Sequence, residues 1–236
     1  MLPGLDGTGL LFERFIKVYQ GDTEVISLPE SGAQDHESLA KAILERLPEE
    51  DFVLLAESFS GGVAACLLRM GPVSLRGVIF VASFLTPPNR AMLFLAETLP
   101  LKALAGLPHP RYLHKLLFLG GTASDRLVEE FVHVARRIPA HLLKQRIGAM
   151  SRMRLSGVKS ELPVYYIQAM QDRLIGRRHW RVFKQIYDDV QLYQLPGPHF
   201  ILQAEPRITA KLVAEMVLEI EGGCAMGEQD GVLHRQ

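Results

Sequence analysis

The chain has 236 residues, of which 48% are hydrophobic and 22% charged, and its formal net charge is zero. This composition is typical of a globular domain with a sizeable core, and it lacks the basic balance of a nucleic-acid-binding protein. No apolar run reaches the ~18 residues of a membrane span, and no secretory signal precedes the first helical pattern, so we expect a cytoplasmic protein without stable membrane insertion.

Short β-rich segments alternate with helical patterns along the chain. The strand candidates are mostly apolar with little alternation, which is typical of parallel strands covered on both faces. They are residues 24–28, 52–56, 77–82, 164–169 and 190–195. The helical patterns cover residues 10–19, 36–47, 61–70, 179–187 and 206–220. This order predicts an α/β fold with a doubly wound, mostly parallel sheet.

Residues 86–159 interrupt this alternation, because they contain no convincing strand. The segments "RAMLFLAETL", "HKLLFL", "SDRLVEEFVHVARRI" and "HLLKQRIGAM" have helical patterns separated by Pro and Gly. Residues 86–160 carry twelve Lys and Arg against four Asp and Glu. An all-helical insertion between two parallel strands predicts a cap. We therefore expect a core formed by 1–85 and 160–220, a cap formed by 86–159, and a disordered tail, 221–236.

The segment "FVLLAESFSGG" places a serine between a buried strand and a helix. Ser58 follows the strand candidate 52–56, and two glycines after it open the helix. At the carboxyl edge of a parallel sheet, such a tight joint lifts one side chain into the crevice and requires small neighbours. Ala56 and Ser60 are small. This context favours Ser58 as a nucleophile over a serine that only caps the helix.

A nucleophilic serine needs a base and an acid that orients the base. Asp172 follows the strand candidate 164–169, and His199 follows the last strand candidate in a Pro-Gly loop. The other histidines lie in the cap, on a helix or in the tail. Asp188 and Asp189 are poorer candidates for the acid because they precede the last strand. We therefore expect Asp172 as the acid and His199 as the base.

The same chemistry needs two backbone donors that form an oxyanion hole. We expect one to be the N–H of Phe59, the residue after the nucleophile, and the other to be the N–H of Leu5 in the loop "LPGLDGTG". A phosphate-binding glycine loop is the alternative, but the G-x-G-x-x-G spacing and the P-loop lysine are missing. The chemistry requires no metal and no cofactor.

Four segments together resemble the α/β-hydrolase superfamily: "LPGLDGTG", "AESFSGG", "QAMQDRLI" and "LPGPHF", in this order over residues 2–202. The first two are similar to those of bacterial esterases, and "PGLDGTG" also resembles the loop of plastid acyltransferases that esterify phytol and diacylglycerol. The resemblance implies a serine hydrolase that cleaves a small-molecule acyl ester through an acyl-enzyme. An acyltransferase or thioesterase with the same triad, and a non-enzymatic binding protein, remain open, as does the oligomeric state.

The beginning of the chain departs from this superfamily, in which a buried strand runs directly into the oxyanion loop. Here Met1 stands almost at the loop. We therefore expect the N-terminal strands to be missing, Leu5 to be weakly anchored and the chain to be marginally stable. Either the true start lies upstream or another segment fills the gap.

Overall fold

The structure is a computed structural model, which describes residues 1–89, 93, 115–154 and 160–222. Within these residues, four parallel strands form one sheet in the spatial order β1-β2-β3-β4. The strands are β1 (Phe52–Glu57), β2 (Leu75–Val81), β3 (Val164–Ala169) and β4 (Val190–Leu195). The predicted parallel α/β sheet is therefore confirmed.

Helices cover both faces of this sheet. The described α-helices are α1 (Glu13–Ile16), α2 (His36–Leu44), α3 (Ser60–Met70), α4 (Asp125–Arg137), α5 (Ala140–Arg152), α6 (Trp180–Ile186), α7 (Ile201–Ala204) and α8 (Pro206–Glu221). Helices α2, α3 and α6 share one apolar cluster with the sheet, and α1, α7 and α8 share another. The two layers confirm the doubly wound arrangement. Among the described helices, none is both long and apolar enough to cross a membrane.

Local sequence explains where several of these helices begin and end. The Asp35 carboxylate accepts a hydrogen bond from the Ser38 N–H at the start of α2, at 3.0 Å. Gly71, with φ of 64°, ends α3 in the left-handed conformation that glycine adopts without strain. Pro206 stands in the first turn of α8, where its missing N–H has no helical acceptor to lose.

Helices α4 and α5 lie in the segment predicted as the cap. The apolar side of α4 packs through Leu127, Phe131 and Val134 into a cluster with Leu11 and Phe200. The predicted helix "RAMLFLAETL" lies outside the described residues except for Leu93, and the tail beyond residue 222 lies outside them too. The division into core, cap and tail stays a prediction.

The prediction of a strand at residues 24–28 is wrong. This segment forms no ladder with a strand of the described residues. Its backbone bonds are isolated ones: the Ile26 N–H donates to the Met1 carbonyl at 3.0 Å, the terminal amine donates to the Glu24 carbonyl at 2.6 Å, and the Leu28 N–H donates to the Gly7 carbonyl at 2.8 Å. Leu2 forms a single parallel bridge with Ala56 on the other side. Residues 1–2 thus lie between β1 and the segment 24–28, but they turn into the next loop before a ladder can form.

Candidate active site

The backbone at Ser58 is strained. Its φ of 51° lies in the left-handed region, which is costly for a residue with a Cβ and is found mostly at functional positions. The strain is held by the surrounding structure, since the Ser58 N–H donates to the Val81 carbonyl at 2.9 Å. A Cβ on Gly61 would lie 2.6 Å from Ser83 Cβ, and one on Gly62 would lie 2.4 Å from a ring carbon of His36. Only glycine at these two positions lets α3 lie so close to Ser83 and His36.

The structure brings the three predicted triad residues together. Ser58 Oγ lies 2.9 Å from His199 Nε2, and His199 Nδ1 lies 2.7 Å from Asp172 Oδ2. The side chains of His199 and Asp172 are 3% and 4% exposed. The other carboxylate oxygen, Asp172 Oδ1, accepts from the N–H groups of Leu174 and Ile175 at 2.8 and 2.9 Å. These two backbone bonds therefore hold the carboxylate in place independently of the imidazole.

The environment of His199 favours the protonated imidazole. Burial lowers the pKa of His199, but the charge and hydrogen bond of Asp172, with the charge of Glu57, outweigh burial and raise it above the ordinary value. An imidazole with a raised pKa accepts a hydroxyl proton more readily. The weaker candidates for the acid, Asp188 and Asp189, are exposed ahead of β4.

The two predicted oxyanion donors belong to segments that flank Ser58. A Cβ on Gly4 would lie 3.7 Å from Ser58 Cβ, which places the loop containing Leu5 beside the serine. Phe59 is fully buried directly before the first turn of α3. The first N–H groups of a helix have no acceptor within the helix, and they favour negative charge.

The loop that contains Leu5 is firmly held, so the expectation of weak anchoring is wrong. The Ser60 hydroxyl donates to the Pro3 carbonyl. Farther along, the Leu28 N–H donates to the Gly7 carbonyl at 2.8 Å. Ser60 is the first residue of α3, so its hydroxyl connects this helix to the loop.

Sequence reasoning missed a second acid beside the triad, Glu57. Its side chain is 1% exposed, and its oxygens accept from Gln203 Nε2 at 3.0 and 3.3 Å. Burial raises the pKa of Glu57 to about 7, against the opposing effects of Gln203 and His199 and with the help of the Asp6 charge. A glutamate at the end of an apolar strand, next to the serine, was the available signal for this group.

We expect Glu57→Gln to stabilise the protein in a pH-dependent way. A carboxyl whose pKa is raised by folding binds more protons in the folded chain, so stability falls as pH rises from 4.5 to about 7. The loss for wild type is about 3 kcal/mol at pH 8. The new amide keeps an oxygen that can accept from Gln203 Nε2.

Thermal melts at pH 5 and pH 8 test this expectation. The gain in melting temperature for Glu57→Gln should be larger at pH 8 than at pH 5, by roughly 5–10 °C. Glu50→Gln is the matched control, because Glu50 is exposed in the loop before β1. A gain that is equal at the two pH values would show that Glu57 is ionised at little cost.

The sequence matches one family model over most of its length. Residues 23–199 match the model of the family described as serine aminopeptidase, S33. Among curated proteins, none matches the sequence significantly.

Solved structures with the same fold are numerous. An esterase from Exiguobacterium antarcticum has a TM-score of 0.72 at 16% identity, with 92% of this chain and 90% of that chain covered. A bromoperoxidase from Bacillus anthracis has a TM-score of 0.74 at 13% identity, with the same coverage of 92% and 90%. The type II thioesterase BorB from the borrelidin biosynthetic cluster has a TM-score of 0.64 at 16% identity, with 91% and 89% covered. At these identities the likeness shows the fold, and the family match goes further: the chain belongs to the serine aminopeptidase S33 family of α/β-hydrolases.

Proposed function

We propose that the protein is a serine hydrolase that cleaves carboxylic esters through an acyl-enzyme. The observation that carries this proposal is the continuous hydrogen-bonded chain from Ser58 Oγ through both ring nitrogens of His199 to Asp172. Each contact is 2.9 Å or shorter, and all three side chains are buried. A serine, a base and an orienting acid in this arrangement are what nucleophilic acyl transfer needs.

The first half of the reaction forms the acyl-enzyme. His199 Nε2 takes the proton from Ser58 Oγ as this oxygen attacks the ester carbonyl carbon. The resulting imidazolium is stabilised by Asp172, which remains ionised. When the tetrahedral intermediate collapses, the bond to the alcohol oxygen breaks, and His199 donates the proton to that oxygen. The acyl group is then bonded to Ser58.

The second half releases the acid. A water molecule gives a proton to His199 and attacks the acyl carbon, and the proton then returns to Ser58 Oγ as the serine leaves. In both halves the negative charge develops on the carbonyl oxygen. The N–H groups of Leu5 and Phe59 are proposed to stabilise it, each by roughly 2.7–4 kcal/mol.

An acyltransferase or a thioesterase would use the same groups. An acyltransferase differs in the acceptor, since an alcohol would replace water when the acyl group leaves Ser58. A thioesterase differs in the leaving group, which would be a thiol. One structural neighbour, BorB, is a thioesterase. The cap sequence offers apolar side chains that suit either an acyl pocket or packing of the cap against the core: Met92, Leu93, Phe94, Leu116 and Phe118. Of these, Leu93 is buried and Phe118 packs against Phe131 and Phe200.

Product analysis distinguishes the alternatives. We expect the purified protein to release free acid from a short-chain p-nitrophenyl ester, with or without added long-chain alcohol. A new ester as the main product in the presence of alcohol would identify an acyltransferase. Faster turnover of the matched thioester at equal concentration would identify a thioesterase. Absence of turnover, together with absence of labelling by a fluorophosphonate, would identify a binding protein.

A further inference from the structure

An arginine from the predicted cap is buried against the loop beside Ser58. Arg146 on α5 is 1% exposed and is among the largest fully buried side chains of the described residues. Its Nη1 donates to the carbonyls of Leu5 and Asp6, both at 3.0 Å. Its Nη2 donates to the Pro29 carbonyl at 3.2 Å, and its Nε donates to Gln34 Oε1 at 2.9 Å.

The acceptors of this guanidinium are neutral oxygens. Within the part of the chain that the structure describes, Arg146 forms no ion pair with a carboxylate, while more distant Asp6 and Glu30 oppose the effect of burial on its pKa. Burial of a cation is costly unless its donors are satisfied, and here carbonyl-type oxygens accept from four of the five N–H groups. Two of these oxygens belong to consecutive peptides of the loop that contains Leu5.

The loop is shaped to admit the guanidinium. Gly7 has a φ of 74°, and a Cβ placed on it would lie 2.3 Å from Arg146 Nη1. Any side chain at position 7 would therefore displace the arginine. The position of Arg146 therefore depends on a glycine at position 7, although the two residues are far apart in the sequence.

The contacts fix the peptides on both sides of the proposed oxyanion donor. The Ser60 hydroxyl holds the Pro3 carbonyl, which belongs to the peptide between residues 3 and 4. Arg146 holds the Leu5 carbonyl, which belongs to the peptide between residues 5 and 6. The peptide between these two carries the Leu5 N–H. The carbonyl of this same peptide, that of Gly4, accepts from the Gly7 N–H at 3.1 Å. With this bond, both neighbours restrained and peptide units planar, its orientation is restricted to a narrow range.

We propose that Arg146 is a positioning residue, through which α5 fixes the orientation of the Leu5 N–H that stabilises the oxyanion. The inference rests on the proposed function. The positive charge of Arg146, buried next to the loop, also favours negative charge on the carbonyl oxygen of the ester. A residue that acts in this way affects the transition state and leaves ground-state binding of the ester unchanged.

The test compares Arg146→Met and Arg146→Lys with Arg152→Met, an exposed arginine on the same helix. For Arg146→Met we expect kcat to fall by about 100-fold, close to the loss of one oxyanion donor, with KM within about threefold of wild type. The affinity of an alkyl boronic acid, which becomes tetrahedral on the serine, should fall by a similar factor. Arg146→Lys should lose less, and Arg152→Met should match wild type.

Each outcome bears on the inference. If folded Arg146→Lys or Arg146→Met keeps the wild-type kcat and boronic acid affinity, Arg146 does not position the donor. If KM rises in parallel with the loss of kcat/KM while kcat is constant, Arg146 serves substrate binding and the inference fails. Should Arg146→Met not fold, Arg146→Lys at a temperature below its melting transition decides by the same two readouts. If wild type neither hydrolyses esters nor reacts with a fluorophosphonate, the proposed function itself is wrong.

Discussion

Ser58→Ala should lower kcat for ester hydrolysis by about 10³-fold or more while the fold persists. The substitution removes only the hydroxyl, which contacts His199 at 2.9 Å, and alanine keeps the same Cβ in the strained backbone. Without the oxygen no acyl-enzyme forms, so the remaining rate reflects water attacking an ester bound next to His199. The measurement is steady-state turnover of a p-nitrophenyl ester, with circular dichroism to show that the variant is folded.

Labelling with a fluorophosphonate separates the nucleophile from its neighbour. Wild type should be labelled at Ser58, and Ser58→Ala should not be labelled at all. Ser60→Ala is the matched variant, because it removes a second buried hydroxyl two residues away. It should still be labelled at Ser58, at a reduced rate, since the Pro3 carbonyl loses its donor. A label found on Ser60 in wild type would identify Ser60, and not Ser58, as the nucleophile.

His199→Ala should be nearly as damaging as Ser58→Ala, and the double variant little worse than either alone. The reason is that the hydroxyl and the imidazole act in one step, so removing both removes one function. Asp172→Asn should cost up to about 10⁴-fold, because an amide N–H facing Nδ1 favours the wrong tautomer of the imidazole. Turnover of the two single variants, the double variant and the acid variant provides the comparison.

The control for the acid uses aspartates that do not contact His199. Asp188→Asn and Asp189→Asn change exposed side chains ahead of β4 and should keep wild-type activity. Full activity of Asp172→Asn, with loss of activity in either control, would show that another carboxylate orients the base. Additive losses in the Ser58 and His199 double variant would show that these residues work in separate steps.

The sheet can be predicted from the sequence, and so can the proximity of the three side chains, because the residues that precede each side chain identify a strand. Ser58, Asp172 and His199 each follow a strand, and parallel strands end at one edge of the sheet. The strand at residues 24–28 could not be excluded in the same way. Its composition suits a strand, but a strand also needs a neighbouring strand to pair with, and here the segment makes only isolated backbone bonds to Met1 and Gly7.

Arg146 and Glu57 were not predicted because their partners are distant or are main-chain atoms. The arginine binds carbonyl oxygens about 140 positions earlier, and every residue has such an oxygen. One clue was available: Leu142, Arg146 and Ala149 lie on the buried side of α5, so the arginine occupies an apolar position. The burial of Glu57 depends on α7, which supplies Gln203.

The bond between Arg146 and the Leu5 carbonyl spans 141 positions, and this sets an order of events during translation. At the usual 5–20 residues per second, the ribosome adds Arg146 roughly 7–28 s after Leu5. Throughout that interval the nascent loop lacks the donor for two of its carbonyls. His199 is added later still, so Ser58 is synthesised long before its proposed base. On the proposed mechanism, a ribosome-bound chain cannot form an acyl-enzyme until residue 199 has been added and folded against Ser58.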